Sequence, residues 1–188
     1  MAADCRNVPL EQEKYAQYRR ALIESLAVPA NKRRPYSPLD AYSLLFNERL
    51  DSNIQWRITM LYTQLAHTES EYVRTGHVYV FRDARDPPDV VKIGSTRQRV
   101  ERRLNQWRRD LNADAETIYL LFAYRTPAAS FAEDVLHALL ACAWLPNRYN
   151  ARTGARLVEY FQIGDLDALR YLCQAVTRHV AYTMHRLN

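Results

Sequence analysis

Apolar positions recur in two rhythms along this chain, and the change between them divides it. Over residues 11–27, Tyr15, Tyr18, Leu22 and Leu26 fall at helical spacing, and Pro29 ends the run. Ser37-Pro38 offers an N-cap with proline at the first helical position, and Tyr42, Leu45, Phe46 and Leu50 continue one face. Ser52-x-x-Gln55 has the form of a capping box opening a third helix, with Ile54, Ile58, Leu61 and Leu65 on its inner side. A helical subdomain is therefore expected over residues 1–70, with Trp56 and the tyrosines read as its core in preference to a base-stacking platform. At Tyr72 to Gly76 the rhythm shortens. Gly76-His-Val-Tyr-Val-Phe81 alternates in β-branched and aromatic residues, a turn rich in Asp and Pro follows, and Val90-Val-Lys-Ile-Gly94 completes a predicted hairpin.

Helical spacing returns with Val100, Leu104, Trp107 and Leu111. Thr117 to Tyr124 is an unbroken apolar run, the pattern of a central strand covered on both faces. Ser130-Phe-Ala-Glu133 then opens a helix with Phe131, Val135, Leu136, Leu139 and Leu140 on its apolar arc. Residues 146–154 read as a loop and 157–163 as a short strand. Leu166, Leu169, Cys173, Val176, Val180 and Met184 mark a long closing helix. The pattern predicts an α+β fold, a small antiparallel sheet flanked by helices, in a domain over 74–188 behind the helical subdomain.

Composition narrows the class. With 188 residues, 48% hydrophobic and 25% charged, the chain is globular in character. No apolar run approaches the ~20 residues that span a bilayer, and Met1 opens a polar segment. Neither a membrane span nor a signal peptide is expected, which predicts an intracellular protein, cytoplasmic or nuclear. Cys5, Cys142 and Cys173 form no C-x-x-C pair and read as plain thiols.

Charge changes the picture more. The net charge is +5 and the pI about 9.2. Lys92, Arg97, Arg99, Arg102, Arg103, Arg108 and Arg109 stand against Glu101 alone, so this short span exceeds the charge of the whole chain. Residues 1–70, by contrast, nearly cancel. Clustered arginine suits phosphate, because the planar guanidinium matches its oxygens better than a lysine ammonium does. A solvated helix face is the plainer alternative.

Taken in order, Gly76, Val78 and Tyr79, then Lys92-Ile93-Gly94, an Arg-bearing helix, a Glu-bearing helix and Pro146-x-x-Tyr-Asn150 resemble the GIY-YIG nuclease superfamily. Lys92 in place of the second motif tyrosine, and Glu159-Tyr160-Phe161 at the end, are similar to a divergent branch. That branch occurs in phage and viral DNA-binding proteins and in a fungal domain of unknown function. The resemblance covers about half the chain. It implies a metal-dependent DNA endonuclease, with double-stranded or branched DNA as partner and Mg²⁺ or Mn²⁺ as cofactor. By position it implies that Glu133 holds the metal, an arginine steadies the phosphate and Tyr79 helps activate water, with Asn150 near the active site. Lys92 departs from the motif, since an ammonium cannot act as a phenol does, yet a cation there favours a Tyr79 phenolate and can hold a phosphate oxygen.

The family spacing from Gly94 points to Arg102, which projects away from the buried stripe of its helix. Arg103 lies about 60° from the stripe's centre and is the better candidate. The remaining residues keep two readings. Tyr79 is a site phenol or a core aromatic. Glu133 is a metal ligand or the glutamate of a capping box with Ser130. His137, four residues on, is a second ligand, a phosphate donor or a plain helix-face histidine. Gly94 is expected to serve the backbone turn, and Glu159 is a site carboxylate or a strand-edge charge. Besides an endonuclease, a non-catalytic DNA-binding module fits this pattern, and a protein-interaction domain fits it less well.

Overall fold

The computed structural model describes residues 52–67, 73–146, 148–150 and 153–187. The helices expected at 11–27 and 38–50, and the basic turn at 31–35, lie outside the described residues. The fold is α+β, with four antiparallel strands and four long helices among the described residues. Helix α1 (Ser52–His67) precedes strands β1 (Gly76–Asp83) and β2 (Val90–Thr96). Helix α2 (Val100–Asp110), strand β3 (Ile118–Thr126) and helix α3 (Ala129–Leu139) follow. A 3₁₀ turn at Ala141–Ala143 leads to strand β4 (Tyr160–Gln162) and helix α4 (Leu166–Leu187).

The predicted hairpin forms, paired from His77 with Thr96 to Phe81 with Lys92. Alternation along β1 sends its side chains to two different cores. Val78 and Val80 join Val91, Ile93, Phe131, Val135, Leu169, Val176 and Val180 on the side of α3 and α4. Tyr79 and Phe81 join Val100, Leu104 and Ile118 beneath α2. The closing helix buries Leu169, Cys173, Val176, Val180 and Met184, the stripe its spacing predicts. Ile58 of α1 enters the larger core, so this helix packs on the sheet domain.

The strand order is β3-β1-β2-β4, which corrects the expectation that the apolar run at 117–124 is central. β3 is an edge strand, and its residues between Tyr119 and Tyr124 are only partly covered. The run is apolar because helices pack on both faces, α2 on one and α4 on the other, while no strand among the described residues pairs with its outer edge. Three smaller expectations also shift. Trp56 is 64% exposed rather than core, because it falls on the outer side of α1, opposite Ile58. The last strand shortens to Tyr160–Gln162. Cys142 is disulfide-bonded whereas Cys173 is a buried free thiol, since sequence spacing does not show which sulfurs meet in space. No helix is long and apolar enough to cross a membrane among the described residues.

Candidate functional site

The site is built around β2. Lys92 sits there with 1% exposure, its side chain on the α2 side beside Phe81 and Tyr79. Its ammonium forms an ion pair with Glu159 and lies 4.5 Å from the centre of the Trp107 ring. Burial pushes its pKa down to about 7, against an attraction from Glu133 and with a repulsion from Arg103. Glu159 is a third exposed and shares its charge with solvent, so the ion pair does not offset the desolvation. Of the two roles open to Glu159, site carboxylate or strand-edge charge, its contact with Lys92 places it at the cluster. Its backbone carbonyl accepts from the amide of Ile93, which draws the carboxylate to the lysine.

Tyr79 faces Gly94 across the hairpin, and its hydroxyl accepts a 3.0 Å hydrogen bond from the Trp107 indole. Gly94 is required by this approach. A β-carbon there would come within 2.8 Å of the Tyr79 hydroxyl and 3.5 Å of the Lys92 ammonium. The glycine thus serves the seating of a side chain rather than the turn expected for it, and the phenol and the amine line one point above it. Trp107 binds both and is a site residue that helical periodicity disguised, because it falls on the buried stripe of α2.

Arg103 is half-buried, packs 5.1 Å from the Trp107 ring centre and donates to Gln106 at 3.0 Å. Arg102 is exposed on the far side. The structure therefore brings Arg103 to the cluster and leaves Arg102 outside it, as the helix geometry requires.

Glu133 is not a capping residue. Helix α3 begins at Ala129, its N-cap is Ala128, and no side chain caps it, so Ser130 stands two residues too far inside to cap it. The carboxylate instead accepts hydrogen bonds from the side chain and backbone of Ser95 at the end of β2. Burial raises its pKa, opposed by Ser95, Lys92 and Arg103. His137 lies 3.8 Å from Glu133, but its Nε2–H donates to the Ile93 carbonyl at 3.1 Å. That nitrogen is not available to a metal, and the ring ties α3 to β2. Burial lowers its pKa, which keeps it neutral at physiological pH.

Two candidates lie elsewhere. Asn150 is buried against the end of α2, donating to the Asp110 carbonyl at 3.2 Å and accepting from the Thr153 amide at 3.1 Å. Its amide closes the loop and caps one orphan helix carbonyl, that of Asp110, a structural duty that a loop sequence does not reveal. Arg108 turns back onto the fold, with Nε and Nη2 donating to the Ile118 carbonyl at 3.0 and 2.7 Å and Nη1 to Asn105. It braces α2 against the edge strand instead of facing solvent with its neighbours. Arg97 is exposed. Arg99, Arg102 and Arg109 are exposed too, share one face of α2, and make no side-chain bond among the described residues.

No group of three or more His, Cys, Asp or Glu residues able to hold a metal exists among the described residues. With the geometry in place, comparison with known proteins gives one match. A family model described as the T5orf172 domain matches residues 76–177. This range runs from the first residue of β1 into α4 and contains every candidate site residue. No curated protein and no solved structure matches significantly.

Proposed function

This chain belongs to the T5orf172 domain family, a nuclease-like, DNA-binding group related to phage endonucleases, and from that premise we propose that it is a metal-dependent endonuclease of GIY-YIG type. It holds the DNA backbone on the outer face of α2 and hydrolyses a phosphodiester bond at the Lys92–Glu133 cluster. The observation that carries this reading is Lys92, a lysine fully buried beside Glu159, within electrostatic reach of Glu133 and Arg103. Burying an amine costs several kcal/mol that apolar packing would avoid, and such groups concentrate at functional sites.

The residues divide the work by chemistry. Exposed arginines of α2 supply phosphate contacts that set register without reading bases. Arg103, stacked on Trp107, is the guanidinium nearest the cluster and steadies the scissile phosphate. Lys92, with a pKa of about 7, carries enough free amine at neutral pH to take a proton from the attacking water. Glu159 connects that amine to solvent. Tyr79 already accepts from Trp107, so its hydroxyl has a proton to give, either to Lys92 or to a phosphate oxygen. Glu133 fits a hard cation, because Mg²⁺ keeps several waters and binds through one or two carboxylates together with substrate phosphate. Ser95 fixes the Glu133 carboxylate for that purpose. A cation held there would neutralise charge on the phosphate.

A second reading has its own support. Tyr79 and Lys92 are each 1% exposed, as suits a domain that keeps the fold for binding alone. One experiment separates the two: purified protein with plasmid and branched DNA, with and without Mg²⁺ or Mn²⁺, in the natural chain and in Glu133→Gln. The catalytic reading expects metal-dependent cleavage that falls on the order of 10²-fold or more in the variant, with DNA affinity and thermal stability nearly unchanged. Full-rate cleavage by Glu133→Gln removes that residue from the mechanism. Salt-sensitive binding without any cleavage by the natural chain leaves the binding module.

A further inference from the structure

A second concavity lies on the other side of Tyr160 from Lys92. It is a cleft of about 460 Å³ between the end of β1, the end of α2 and the loop that carries Tyr149. Its charges are paired within the fold. Asp83 is bound by Arg85 at 2.6 Å, and Arg148 holds both oxygens of Asp86 at 2.6 and 2.7 Å. Two acids facing two arginines give a phosphate no net attraction. Leu111 and Leu157 add apolar wall, and Tyr149 stands at the rim with 60% exposure.

Tyr160 is the informative residue. It is 2% exposed, its ring carries the Arg148 guanidinium at 4.3 Å, and its hydroxyl has no hydrogen-bond partner among the described residues. Because Tyr160 lines the cleft, that polar tip opens into it. A buried phenol usually finds a partner for its hydroxyl, and here that partner comes from the cleft, as water or as the polar edge of a ligand that displaces it. Burial also raises its pKa, so the hydroxyl stays protonated and able to donate. The strand pairing of Tyr160 with Lys92 makes the ring the partition between this cleft and the proposed cleavage cluster.

We propose that this cleft receives an unpaired nucleobase next to the bound phosphate, stacked against Tyr149 and hydrogen-bonded by the Tyr160 hydroxyl. The size fits a single flat heterocycle with its sugar, and the charge balance favours a neutral ring over a second phosphate. Aromatic stacking tolerates any base, so the site selects an unstacked nucleotide and not a sequence. This inference rests on the DNA-binding reading. It adds a preference for DNA with a base out of the helix, at a branch, bulge or mismatch.

The test is fluorescence anisotropy with two oligonucleotide duplexes, one fully paired and one carrying a single bulged base, on the natural chain, Tyr149→Ala and Tyr160→Phe. The natural chain should bind the bulged duplex on the order of tenfold tighter or more. Tyr149→Ala should remove most of that preference and Tyr160→Phe part of it. Both should leave affinity for the paired duplex and the thermal midpoint unchanged, since one side chain is exposed and the other loses only an unpartnered hydroxyl. Equal affinity for the two duplexes in the natural chain overturns the inference while the DNA-binding reading stands. So does a preference that survives both substitutions. Binding to neither duplex overturns that reading, and the cleft assignment with it.

Discussion

Lys92 is the residue on which the chemistry and the stability of the domain pull in opposite directions. Its pKa falls from 10.5 in a free lysine to about 7 in the fold. Between those values the unfolded chain holds a proton that the folded one has released. Stability contributed by this group is therefore complete above the upper value and is lost as pH falls toward 7. The same shift predicts that cleavage rises as pH climbs through about 7 and then levels, if the free amine takes the proton from water. Lys92→Met tests both consequences. It removes a costly buried charge and leaves Glu159, a third exposed, to solvent. We expect an unchanged or higher thermal midpoint, a flatter dependence of stability on pH above 7, and no cleavage. A large loss of stability in this variant would show that the ion pair outweighs the desolvation, contrary to this account.

At the scale of the element, α2 carries two kinds of arginine that composition cannot separate. Arg99, Arg102 and Arg109 follow one exposed face, whereas Arg108 is bent back to the Ile118 carbonyl. Arg102 and Arg109 are about 10 Å apart along the axis, a span that reaches successive phosphates. Replacing Arg99, Arg102 and Arg109 with alanine should weaken DNA binding for every sequence and flatten its salt dependence, with the urea midpoint unchanged. Arg108→Ala should do the reverse, lowering stability by about 1–2 kcal/mol through the lost hydrogen bonds and changing the salt slope little. Titrations at several salt concentrations, beside urea denaturation, distinguish the two sets. Reversed roles would mean that the exposed face is only a solvated surface.

Across the whole molecule, α1 decides where the domain can be cut. The change of rhythm near residue 72 suggests a module beginning at 74. Yet Ile58 is 3% exposed within the main core, and the Tyr62 hydroxyl meets His179 at 2.8 Å while its ring packs on Phe131. Ile58→Ala should cost about 2–4 kcal/mol. A chain starting at residue 74 should show a lower thermal midpoint than the full chain. Equal midpoints would establish 74 as the natural boundary and α1 as an appendage.

The α+β class, the hairpin, the buried stripes of α2 and α4, and the concentration of arginine beside β2 are all legible in the order of residues. These are local or periodic properties, set by which side of a strand or helix a residue occupies, and one-dimensional spacing carries them. The sides of α2 that Arg103 and Arg102 occupy were legible too, because they needed only a helical wheel. Which residues meet across the chain depends on the folded arrangement. It took Glu133 from a cap to Ser95, gave Lys92 to Glu159 and Trp107, and sent Asn150 and Arg108 to structural carbonyls. It also moved an apolar strand to the sheet edge and left the Tyr160 hydroxyl facing a cleft. These outcomes depend on pairings between residues distant in the chain, often tens of positions apart. Burial and desolvation follow from such pairings, so the pKa of Lys92 could not be read before the fold was known.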